Sequence, residues 1–92
     1  MMARVAQIQE RLERAFAPCT VVVTDDSAAH VGHDGAKGGG GHFHVLITSP
    51  SFSGLSILER HRAIYTALGS MMQRQIHALS IDARVPPNSV QS

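Results

Sequence analysis

Six histidines fall in a chain of 92 residues that carries one cysteine and no tryptophan. Imidazole is the commonest side-chain metal ligand, and its charge changes near neutral pH. His30 and His33 sit in a Gly-rich stretch, and His42 and His44 open a segment of alternating hydrophobicity. His61 lies in the longest helical pattern, and His77 heads the last alternating segment. This spread asks whether folding brings distant imidazoles to one site. His30 and His33 form an H-x-x-H pair, and in a loop such a pair is more often solvated than metal-bound. The pair also lacks the Glu base of a helix-borne H-E-x-x-H. His77, at a strand start, either reaches the edge of the sheet or sits half-buried against a neighbouring carbonyl. His42 and His44, two residues apart, share one strand face and read as a solvent-facing pair. His61 lies on an apolar stripe, where a lone histidine is more often a packed core residue than a ligand.

Other chemistries find less support. The Gly38 to Gly41 run lacks the Lys-Ser/Thr and the following helix of a phosphate-binding P-loop. Gly35-Ala36-Lys37-Gly38 matches the GXXG clamp of RNA-binding domains, but it falls between two strands rather than two helices. No nucleophile and base occur in a recognisable context, and no paired carboxylates or cofactor fingerprint are present. The chain is therefore expected not to be an enzyme. The formal charge of +1 argues against bulk electrostatic attraction to nucleic acid. Arg60, Arg62, Arg74 and Arg84 read first as a solvated face. Cys19 is alone and cannot form an internal disulfide, so a structural thiol in a reducing compartment is the plain reading. The N-terminus shows no import or export pattern, and no stretch reaches the roughly 20 apolar residues of a membrane span. A cytoplasmic protein without membrane association is expected.

The elements that must position these residues follow from periodicity. Val5, Ile8, Leu12, Ala15 and Phe16 recur at helical spacing over about residues 3–16, and Ala17-Pro18 ends that helix. Thr20 to Thr24 is β-branched and reads as a strand buried on both faces. Residues 25–41 carry turn residues without periodicity and read as a flexible loop. A strand follows, with Phe43, Val45 and Ile47 alternating with His42, His44, Leu46 and Thr48. The two strands are expected to form a hairpin. Ser56 to Leu68 reads as a helix with Ile57, His61, Ile64, Tyr65 and Leu68 on its buried stripe. Ser56 and Glu59 give it a capping box, and Gly69 its stop. Ser70 to Ile76 reads as a short helix, with Met71 and Met72 filling core gaps. His77, Leu79, Ile81 and Ala83 alternate with Ala78, Ser80, Asp82 and Arg84 in a third strand. Residues 85–92 read as a frayed tail. The order α-β-β-α-α-β predicts one α+β domain over residues 1–92, with its core at about 3–84. It is expected to be a three-stranded sheet with helices on one face. At this size, folding buries about 60–65% of the unfolded surface.

Four segments, Asp25 to His33, His42-Phe43, Phe52 to Tyr65 and Ile76 to Ile81, together resemble the BolA family. Phe52-Ser53-Gly54-Leu55-Ser56-Ile57-Leu58-Glu59-Arg60-His61-Arg62-Ala63-Ile64-Tyr65 resembles its F-x-G-x-x-x-x-x-R-H-R-x-x-Y pattern. Asp25 to His33 is similar to its loop between the first two strands, His42-Phe43 to its strand opening, and Ile76 to Ile81 to its H-A-L segment. The resemblance spans roughly residues 5–84. It implies a class II KH-like fold and a monothiol glutaredoxin as partner. A [2Fe-2S] cluster would be shared, held on one side by the glutaredoxin cysteine and glutathione and on the other by histidine. No cofactor is expected in the isolated protein, a monomer or weak homodimer. The resemblance assigns His77 as one ligand. It assigns His30, or alternatively the nearby His33, as the loop ligand, since this loop carries no cysteine. It also implies DNA as an alternative partner. The KH-like order and the arginines flanking His61 make Arg60, His61 and Arg62 the candidate contacts, a segment that the resemblance itself reads as structural or part of an interaction surface.

Overall fold

The computed structural model describes residues 3–26 and 41–87. Its elements run α1 (Arg4–Phe16), β1 (Thr20–Asp25), β2 (Gly41–Thr48), a 3₁₀ turn (Pro50–Phe52), α2 (Ile57–Leu68), α3 (Met71–Arg74) and β3 (Ile76–Arg84). This is the expected α-β-β-α-α-β order. The sheet order is β1-β2-β3, with β1 antiparallel and β3 parallel to β2. The hairpin of β1 and β2 is therefore present. Asp25 and Gly41, placed in the loop from sequence, extend the two strands instead. The rest of the Gly-rich stretch, residues 27–40, lies outside the described residues.

One face of the sheet makes the core. Ile8, Leu12 and Phe16 recur one turn apart on α1 and are buried. They meet Val21, Phe43, Val45 and Ile47 from the sheet, Phe52, and Ile64, Leu68 and Met71 from the helices after it. Along β2, burial alternates residue by residue, with Gly41, Phe43, Val45 and Ile47 inward. The other face, carrying His42, His44, Leu46 and Thr48, is half-open. Burial of both faces of β1, as read from its apolar density, is corrected here. Val21 is buried but Val22 is 56% exposed, because β1 is an edge strand of a sheet covered by helices on one side.

Three polar clamps fix the layers. Ser49 is fully buried and donates its hydroxyl to the Phe16 carbonyl at 2.8 Å. It thereby satisfies a last-turn carbonyl that α1 cannot pair internally. Arg11 donates to the Leu68 carbonyl at 2.9 Å, which joins α1 to the end of α2. Arg60 donates to the carbonyls of Leu55 at 3.0 Å and Ala83 at 2.9 Å, which joins the start of α2 to the end of β3.

On α2 the capping box between Ser56 and Glu59 is formed. Gly69 stops the helix with φ at +56°, in the left-handed region that favours glycine. The expected buried stripe is corrected. Ile64 and Leu68 are buried, but Ile57 is 70% and Tyr65 40% exposed. The inward side is completed instead by Ala63 and Ala67, which pack against the core. Apolar residues occupy so much of this helix that periodicity leaves its rotation open. In the fold, Ile64 and Leu68 sit in the core and Arg60 reaches the Ala83 carbonyl of β3, and together they define the rotation adopted. At the C-terminus Val85 packs on the core, so the ordered chain runs past Arg84. Residues 88–92 of the expected tail lie outside the described residues.

Candidate functional site

The histidines separate by element once the strands are paired. His42 and His44 lie on β2, on the sheet face that the helices leave open. His77 enters through a break in the β2–β3 ladder. Gly41 pairs with Ile76, but the next residue, His42, pairs with Ala78. His77 is thus the extra residue of a bulge, a device that re-aims a side chain. Strict alternation from Leu79, Ile81 and Ala83 would have turned His77 toward the core. Instead Ile76 is buried and His77 is exposed. The His77 ring lies beside that of His42, with centroids 5.1 Å apart and planes tilted by 40°. His42 is half-buried, and its Nε2 is shielded from solvent.

Three chain segments meet at this corner. The Gly41 amide donates to the Gln75 carbonyl at 3.0 Å, and the Asp26 amide donates to the His42 carbonyl at 2.7 Å. The end of β1 and the start of β2 and β3 are thereby tied together. His30 and His33 lie outside the described residues. The segment that carries them leaves β1 at Asp26 and rejoins β2 at Gly41, so both of its ends are at the His42–His77 corner. Among the described residues, no group of three or more His, Cys, Asp or Glu side chains converges. A metal or cluster at this corner would take further ligands from elsewhere. An exposed imidazole on a fixed strand start suits that arrangement: His77 can ligate a centre presented by another molecule.

The remaining candidates lie apart from this pair. His44 stands one position further along the same face of β2. Near it, Arg84 holds Asp82 in a two-point ion pair at 2.7 and 3.0 Å. The hydrogen bond to Arg84 lowers the Asp82 carboxyl below its ordinary value. Partial desolvation opposes the shift, while the charges of Arg84 and His44 add to it. Arg84 is therefore engaged within its own strand. Of the three residues assigned to nucleic acid, Arg62 is exposed and His61 half-buried on α2. Arg60 commits two donors to backbone carbonyls, and its first role is structural rather than phosphate binding.

Cys19 sits at the opposite end of the sheet. It lines an apolar cleft of about 430 Å³ with Pro18, Thr20, Thr48, Pro50 and Pro86. Burial pushes its thiol above the ordinary value, and the Glu13 carboxylate adds to the shift. At 3.3 Å per strand residue, the length of β2 puts this cleft about 20 Å from His42.

The partnership of His42 with His77 is the feature that sequence reading missed. Its signal was Gly41, since a glycine at a strand start marks a place where a bulge or a close backbone approach is tolerated. The bulge itself depends on the parallel pairing with β3, which alternation does not reveal.

Comparison with known proteins places the chain among relatives. The family model described as BolA-like protein matches residues 12–88. The protein named BOLA1, chloroplastic, from Arabidopsis thaliana is 36% identical over 89 residues, covering 94% of this chain and 56% of that protein. SufE-like protein 1, chloroplastic/mitochondrial, from the same plant is 38% identical, covering 91% of this chain and 24% of that protein. The Escherichia coli protein named DNA-binding transcriptional regulator BolA is 37% identical, covering 88% of this chain and 73% of its own length. The chain thus spans about half or less of the two plant relatives. The solved structure of BolA1 from Arabidopsis thaliana superposes with a TM-score of 0.80 at 34% identity, over 96% of this chain and 97% of that one. The BolA domain of SufE1 from Arabidopsis thaliana gives the same TM-score at 39% identity, over 96% and 98%.

Proposed function

The chain belongs to the BolA-like protein family, and we propose that it is a binding module that completes a [2Fe-2S] cluster carried by a monothiol glutaredoxin. His77 supplies one imidazole from this chain and His30 or His33 the second. The glutaredoxin cysteine and glutathione supply the thiolates on the other side. The role is iron–sulfur trafficking or iron regulation. The observation that carries the reading is the bulge at Gly41/His42, which turns His77 outward at the end of the sheet where the His30/His33 segment departs. A relative in which a BolA domain is part of a SufE-like protein supports an iron–sulfur context.

Imidazoles in place of thiolates change the cluster in a measurable way. Such ligation raises the reduction potential, as in Rieske centres. A ligating imidazole must be neutral at the coordinating nitrogen, so the complex weakens as pH falls. The test is anaerobic reconstitution with a glutathione-loaded monothiol glutaredoxin, followed by visible absorption and circular dichroism. His77→Ala is expected to leave the spectrum of the glutaredoxin-only cluster. If the variant mixture gives the same spectrum as the wild-type pair, His77 is not a ligand.

A second reading, a DNA-binding regulator, is favoured by the name of the Escherichia coli relative. Each phosphate neutralised should cost about 0.9 log units of affinity per log unit of salt. A shallow salt slope with no sequence preference at physiological salt would remove this reading.

A further inference from the structure

Among the described residues no hydrogen bond holds the His77 ring, and its ring contact is with His42. His77 is exposed, so its imidazole would otherwise rotate and lose that freedom on binding. His42 is placed differently. It is half-buried at the start of the central strand, directly after the register break. Its backbone is held on both sides: its carbonyl accepts from Asp26, and the preceding Gly41 amide donates to Gln75. Its Nε2 is shielded from solvent. One ring is half-buried on a backbone held at both sides, while the other is exposed and lies beside it.

We propose that His42 is a positioning residue for His77: its ring is a fixed wall that pre-orients the exposed imidazole at the bulge, and it is not itself a ligand. The inference rests on the reading of His77 as the cluster-facing histidine and adds a requirement at a second residue. The chemistry asked of His42 is that of a flat ring at van der Waals distance. Tilted aromatic pairs with centroids 4.5–7 Å apart are favourable beyond the area that they bury.

That requirement separates three variants. His42→Phe keeps a ring, His42→Leu keeps bulk without a ring, and His42→Ala removes both. Titration with glutathione-loaded monothiol glutaredoxin should give wild-type affinity within about twofold for His42→Phe. His42→Leu and His42→Ala should bind roughly two- to tenfold more weakly, the worth of one aromatic pair. The visible circular dichroism of the saturated complex should match wild type in all three, since no ligand has changed. If His42→Phe alters that spectrum as His77→Ala does, His42 is a ligand and the proposal is wrong. If His42→Phe weakens binding as much as His42→Ala, the ring is not what matters. A readout without the cluster decides the same point. In the isolated protein, the His77 side chain should keep a single χ1 rotamer, read from three-bond couplings, in His42→Phe and average over rotamers in His42→Leu, with far-ultraviolet circular dichroism confirming that each variant is folded. An equally well-defined His77 rotamer in His42→Leu would overturn the proposal even if the glutaredoxin reading stands. A wild-type protein that forms no cluster complex would remove the glutaredoxin reading and leave the NMR comparison to decide whether His42 orients His77.

Discussion

Two residues far from the histidine corner show how single side chains hold this fold together. Ser49 buries its hydroxyl between the end of β2 and the carbonyl of Phe16. Ser49→Ala leaves that carbonyl without its donor in a dry site, at a cost of about 1–3 kcal/mol. Urea unfolding should show the loss as a lower midpoint with an unchanged slope. Asp82 presents the opposite case, an exposed pair with little stabilising effect. Its carboxyl is held below the ordinary value, first by the hydrogen bond to Arg84. A depressed carboxyl contributes stability above its unfolded pKa, and that contribution is lost as pH falls through the folded value. The window is therefore acidic, and solvent screening keeps the effect small. A carboxyl-detected NMR titration should place the Asp82 midpoint below that of a free aspartate, and Arg84→Ala should raise it.

At the scale of elements, α2 is held by a polar clamp at each end, Arg60 at its start and Arg11 at its end. Its capping box and its Gly69 stop fix where it begins and ends. Its rotation about its own axis is expected to depend on Arg60, which bonds the Leu55 and Ala83 carbonyls. The same clamp leaves Ile57, Leu58 and Tyr65 facing outward. Arg60→Lys retains the charge but not the planar fork that serves two carbonyls at once. It should destabilise the protein by about 1–3 kcal/mol, against a few tenths for the exposed Arg62→Lys. Thermal unfolding of the two variants side by side measures the difference. Equal, small losses would mean that packing alone sets the rotation of α2.

For the whole molecule, the sheet separates two ends with different chemistry. One carries the imidazole pair and the roots of the Gly-rich segment, and the other carries Cys19 in an apolar cleft. With about 20 Å between them along β2, the ends should act independently. Cys19→Ser is expected to leave cluster assembly with glutaredoxin unchanged in affinity and spectrum. With its thiol pKa raised by burial, Cys19 should alkylate more slowly at neutral pH than a free cysteine. A cluster spectrum that responds to Cys19 modification would show that the two ends communicate.

Local periodicity and turn chemistry determined the element order, the hairpin, the helix caps and most of the core, because each depends on neighbours a few residues apart. Ile8, Leu12 and Phe16 on α1 and Phe43, Val45 and Ile47 on β2 were legible for that reason. The four family segments carried the affiliation and pointed to His77. Only the tertiary structure decided which way His77 faces. Its direction depends on the register between β2 and β3, two strands far apart in the chain. One extra residue in that ladder reverses the side that alternation assigns. The burial of α2 and the openness of β1 were settled in the same way, by what lies across from them rather than by what lies beside them in sequence.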